Sequence, residues 1–152
     1  MKSSILLFLS FTICGISSAQ KFPFNIDPMS SPMEVKLKQP IQFVSSEDFQ
    51  DIATYKFVNT VILQGVSFRY VFLYFENSKL IRMTFNIKEK SDCTKVISAL
   101  SVKYKKAANC NFNTPYCYRN GNLLIHLSKL ESPDEAGNCG YLFYEYQASG
   151  DF

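Results

Sequence analysis

His126 is the single histidine of the chain, and Ser128 follows it two residues later. A histidine beside a hydroxyl is the raw material of a general base and its nucleophile. On a strand, residues two apart share a face but point side by side, so this spacing orients no triad. An ordinary hydrogen-bonding role suits His126 better, and a hydrolase acting through His126 is kept as an alternative. The carboxylates supply no acid–base pair. Glu47, Asp48 and Asp51 lie in one polar stretch and Asp134 and Glu135 in another. Neither has the cleft that two catalytic carboxylates share. Glu145 is the one acid inside an aromatic run, where a charge reads as a guard against edge-to-edge strand pairing. There is no glycine-rich phosphate loop and no His-Glu-x-x-His. The sequence thus assigns no catalytic residue, no metal and no cofactor, and the chain reads as a non-enzyme.

The cysteines carry the other available chemistry. Lys2, the apolar run Ile5–Ile13 and Ser17-Ser18-Ala19 have the order of a signal peptide, cut after Ala19. Residues 1–19 are then a leader and 20–152 one secreted α+β domain, long enough to bury a core. Lipidation at Cys14 fits poorly, because Ile13 before it is not small. Cys93, Cys110, Cys117 and Cys139 remain, an even number that reads as two disulfides in an exported chain. Their spacing matches no zinc site. The expected pairing is Cys93–Cys117 with Cys110–Cys139. The competing pairing is Cys110–Cys117, a short local loop, with Cys93–Cys139.

Sixteen basic and 13 acidic residues give a net charge of +3, and removing Lys2 with the leader leaves +2. That is too mild to indicate a nucleic-acid partner. No later segment is apolar enough to span a bilayer. None of the asparagines sits in a usable Asn-x-Ser/Thr sequon, which leans toward a bacterial, secreted or periplasmic protein.

The elements that must position these residues read as follows. Ser31-Pro32-Met33-Glu34 combines a cap, a first-turn proline and a capping-box glutamate, predicting a helix over Pro32–Lys38 that Pro40 ends. Residues 41–51 read as a loop or weak strand. Alternation predicts a strand over 55–64. The runs 68–75 and 79–87, joined by Glu76-Asn77-Ser78, predict a hairpin with Ile81, Met83, Phe85 and Ile87 facing the core and Leu80, Arg82, Thr84 and Asn86 facing out. Cys93, Val96, Ile97, Leu100 and Tyr104 form a helical stripe after Ser91-Asp92. Strands follow at 116–120, 123–130 and 141–147, with Asn120-Gly121 as a two-residue turn. The expected fold is a single antiparallel sheet of about six strands: helix, three-strand meander, helix, three-strand meander, with both helices packed on one face.

Met29-Ser30-Ser31-Pro32-Met33-Glu34-Val35 and Tyr74-Phe75-Glu76-Asn77-Ser78-Lys79-Leu80 resemble small bacterial envelope domains. These include the outer-membrane assembly lipoproteins of the SmpA/OmlA type and the β-lactamase inhibitor proteins. Asp27-Pro28 stands where that pattern carries a glycine, and one residue is inserted before the glutamate. The resemblance implies a non-catalytic domain that binds another protein in the periplasm or outside the cell. The reading is an exported protein-binding or envelope-assembly module, using an open sheet face with Tyr70, Tyr74, Arg82 and Tyr144. Alternatives are an inhibitor or immunity protein against an envelope-acting enzyme, inserting the loop 109–116, and a carrier of an apolar ligand between sheet and helices.

Overall fold

A computed structural model of the protein describes residues 20–47, 51–108, 110 and 114–147. The expected leader over 1–19, Asp48 and most of the loop 109–113 lie outside the described residues.

Helix α1 spans Pro32–Lys38. The Glu34 N–H donates to Ser31 Oγ at 3.3 Å, and the Ser31 N–H donates to Glu34 Oε2 at 2.7 Å. This reciprocal pair satisfies two donors that a helix start leaves open. Lys38 is tied to Asp27 at 2.7 Å, and Val35 is buried. Helix α2 spans Lys90–Lys103 and buries Cys93, Val96 and Leu100, the inward part of the expected stripe.

The strands are β1 (Ile41–Glu47), β2 (Ile52–Phe57), β3 (Val61–Leu63), β4 (Val66–Phe68), β5 (Val71–Glu76), β6 (Lys79–Ile87), β7 (Lys105–Lys106), β8 (Cys117–Asn120), β9 (Leu123–Lys129) and β10 (Gly140–Tyr146). Eight of them form one antiparallel sheet in the order β1-β2-β5-β6-β10-β9-β8-β7, and β3 and β4 form a separate two-stranded sheet. The expected six-stranded sheet with helices packed on one face is therefore corrected. The protein is mostly sheet, and two helices alone do not make its covering layer.

Beyond the short added strand β7, three local features depart from the expectation. Residues 41–47, read as loop or weak strand, pair along β2 from Ile41↔Phe57 to Glu47↔Ile52. The polar step at Asn59-Thr60 ends the strand expected over 55–64 after Phe57. Gln64 (φ 55°) and Gly65 (φ 73°) then turn β3 into β4, the two positive φ values a tight hairpin requires. Finally, Asn77 (φ 48°) and Ser78 (φ 61°) close the β5–β6 turn, which sets Phe75 opposite Leu80 while Tyr74 faces Arg82. Ile81 is left as the extra residue of a bulge. The bulge turns Leu80 into the core, fully buried, and leaves Ile81 half-buried, the reverse of the expected alternation.

The inner face carries Leu73, Phe75, Met83, Phe85, Leu142, Tyr144 and Ile125, all buried. Phe85 is its hub, with the Phe68, Tyr144 and Phe24 rings at 5.1, 5.8 and 6.3 Å. The β3–β4 hairpin, the segment 22–26 and α2 all meet this face. Burying a phenylalanine of this kind contributes about 2–3 kcal/mol.

Cys110 and Cys117 stand at disulfide distance, with Cα atoms 6.2 Å apart, within the separation a disulfide spans. This overturns the expected Cys93–Cys117 and Cys110–Cys139 pairing. The seven-residue separation allows the short local closure of the competing pairing. Among the described residues no helix is long and apolar enough to cross a membrane.

Candidate functional site

The outward residues of the sheet fall into cross-strand rows. One row runs Thr54, Tyr74, Arg82, Glu145, Leu124 and Arg119 across β2, β5, β6, β10, β9 and β8. The next runs Lys56, Phe72, Thr84, Phe143, His126 and Cys117. A third holds Asn86, Tyr141 and Ser128, with Tyr70 joined to it because the Asn86 N–H donates to the Tyr70 carbonyl at 3.1 Å. Facing residues in such rows have side chains in contact range.

At the centre, Arg82 Nε lies 2.7 Å from Glu145 Oε1 and His126 Nε2 lies 3.8 Å from the same oxygen. His126 stacks flat on Phe143, with ring centroids 4.5 Å apart and planes 9° apart. The Arg82 guanidinium also sits over the Tyr74 ring at 5.5 Å. Burial pushes the Glu145 carboxyl up, but His126 and Arg82 together outweigh it and hold the group below its ordinary value. A carboxylate between two cationic or donor groups stays charged in this way. Arg82 remains 43% exposed along its side chain, whereas His126 is 5% and Glu145 15% exposed. The ion pair thus has a fixed, half-buried acid and an accessible base.

The loop before β10 frames one end of this face. Tyr141 donates its hydroxyl to Asp134, and the Asn138 N–H donates to Asp134 Oδ1 at 2.7 Å. These bonds hold the Asp134 carboxyl down at about 2 and, on the other side, push the Tyr141 hydroxyl up.

Of the residues singled out from the sequence, Tyr74 and Arg82 meet on this face, and Tyr70 lies on it two rows away. Tyr144 does not. It is buried on the inner face, where burial pushes its hydroxyl up. Glu145, read as an edge guard, stands on a central strand with β6 on one side and β9 on the other. The sequence reading missed Phe72 and Phe143 as parts of the surface, and missed the approach of His126 to Glu145. The alternation of β6 from Arg82 onward was readable; the register of β10 between β6 and β9, and with it which side of β10 is enclosed, was not. Ser128 lies about 7 Å along the strand from His126, a spacing at which neither groups the other into a nucleophile and base. A cleft of about 350 Å³ lies on the inner side among Phe22, Phe24, Leu63, Tyr104 and Tyr144, at the small end of ligand-sized pockets. Comparison with known proteins finds no family model, no curated protein and no solved structure that matches this chain.

Proposed function

We propose that this chain is an exported, non-catalytic protein-binding module, secreted or periplasmic, whose contact surface is the open face of the eight-stranded sheet. One observation carries the reading: Tyr74 and Arg82 lie side by side in one row and Phe143 diagonally from Arg82 in the next, over three adjacent strands and partly accessible, while the covering elements gather on the other face. Aromatic residues and arginine dominate the energetic centres of protein interfaces. Glu145 and His126 serve beneath them. They fix the guanidinium in one place, so little side-chain freedom is left to lose when a partner docks.

The test is retention of a partner from envelope and culture-supernatant extract by the wild-type chain, compared with Tyr74→Ala and Arg82→Ala. A stoichiometric protein held by the wild type and released by both variants, with their circular dichroism unchanged, supports the reading. A partner held equally by all three, or none at micromolar concentration, overturns it.

A second reading is an inhibitor or immunity protein. The Cys110–Cys117 closure favours it, because a segment stapled at its base enters a partner's cleft at a lower entropic cost. An enzyme as the retained partner, released by Cys117→Ser but not by Arg82→Ala, would select this reading over the first.

A further inference from the structure

We propose that Cys93 and Cys139 are a second cross-link site and are joined by a disulfide that fastens α2 to the start of β10. Both are buried thiols, and Cys93 Sγ lies 3.8 Å from the Cys139 carbonyl oxygen. The backbone holds Cys139 firmly, since its N–H donates to the Ile87 carbonyl at 2.7 Å and its carbonyl accepts from the Leu130 N–H at 3.0 Å. The adjoining residue is Gly140, and a Cβ there would lie 2.8 Å from Cys93 Sγ. The glycine therefore leaves the room into which the Cys93 sulfur projects. The N-cap Glu89 makes no side-chain cap bond, and this cross-link would tie that end of α2 to the sheet. Closure would join residues 46 apart, far more chain than the seven-residue Cys110–Cys117 loop, and long closures restrict the unfolded chain most.

The bond requires an oxidant of the disulfide class, such as a thiol–disulfide oxidase or oxidised glutathione. The thiolate of one cysteine attacks the oxidant's disulfide and displaces one of its sulfurs as a thiol. The thiolate of the other cysteine then attacks the mixed disulfide. The protein's sulfur–sulfur bond forms, and the oxidant's second sulfur leaves as a thiol. The protein loses two protons and two electrons, and the oxidant gains them. Burial raises the Cys93 thiol above its ordinary value and shields it, so the reaction belongs to folding, before α2 closes on the sheet.

The inference rests on the export reading for its oxidising compartment, and the experiment separates the two. The full chain is expressed through the secretory route and purified without reductant. Free thiols are alkylated in denaturant and the unreduced digest is mapped by mass spectrometry. The expected result is a Cys93–Cys139 peptide pair that separates on reduction, with no alkylation at either cysteine. The same map is made on reduced, denatured chain refolded in a glutathione redox buffer. The pair in the refolded protein but not in the purified one upholds the bond and removes the export reading. Alkylated Cys93 and Cys139 in both samples, or either joined to Cys110 or Cys117, overturns the proposal.

Discussion

From β6 and β10, Phe85 and Tyr144 face inward while Arg82 and Glu145, a residue or a few away on the same strands, face outward. Inward, position is set by volume: rings meet edge to face at 5–6 Å, and any hydrophobic group of the right size contributes. Outward, position is set by charge and direction. The Glu145 carboxylate has two particular neighbours, and neither can be replaced by bulk. A sheet can therefore hold its fold with one face and reserve the other for a specific arrangement of groups.

Truncation should separate the faces most sharply. Phe85→Ala removes the ring that Phe24, Phe68 and Tyr144 surround, and about 3–5 kcal/mol of stability should be lost in urea denaturation. The bulge gives a finer test within one strand. Leu80→Ala should cost about 2–5 kcal/mol and Ile81→Ala about 1 kcal/mol or less, since only Leu80 is in the core. Equal costs would place the bulge elsewhere. On the open face, Glu145→Gln should cost about 1–3 kcal/mol, reduced by the exposure of Arg82, and should weaken partner retention as Arg82→Ala does. Away from both faces, Ser31→Ala should cost about 1 kcal/mol through the lost helix cap.

The smallest expected effect is acid sensitivity, and two of the groups that set it are Glu145 on the open face and Asp134 in the loop before β10. The folded carboxyls of Glu145 and Asp134 lie below their ordinary values of 4.5 and 3.8. Depressed acids add stability above the unfolded value and lose it as pH falls through the folded one. Glu145 should thus contribute at neutral pH and cease to do so in acid below 4.5. Asp134 should follow from 3.8 down through about 2. Urea midpoints measured across this range should fall toward acid, and the fall should flatten in the Glu145→Gln, Asp134→Asn double variant.

Much of this was legible in the residues, for definite reasons. Helix α1 was readable to the residue because Ser31, Pro32, Glu34 and Pro40 are local signals. The hairpin at Asn77-Ser78 and the outward parity of Arg82 were readable because alternation is local too. The bulge at Ile81 was not, since it comes from a turn geometry acting on a register. Nor was the insertion of β10 between β6 and β9, which brings Glu145 to Arg82 from a strand more than 50 residues away in sequence. Tyr144 was placed on the wrong face because neighbouring tyrosines 141, 144 and 146 look alike in composition, and only the pairing with Ile125 and Met83 says which of them is enclosed.

That insertion also has a temporal consequence. Two groups of strands, β1-β2-β5-β6 and β9-β8-β7, are joined within the sheet by β10, the last described strand to leave the ribosome. Until it arrives, β6 and β9 each present an unpaired edge. The molecule cannot assemble progressively from its beginning, because the seam between its halves is made from its latest part. Such long-range closure is slow, and a waiting edge invites pairing with a neighbouring chain. A delivery route that keeps the chain extended until synthesis is done would suit this topology, whereas truncation anywhere before residue 140 would leave two incomplete sheets rather than a smaller version of one.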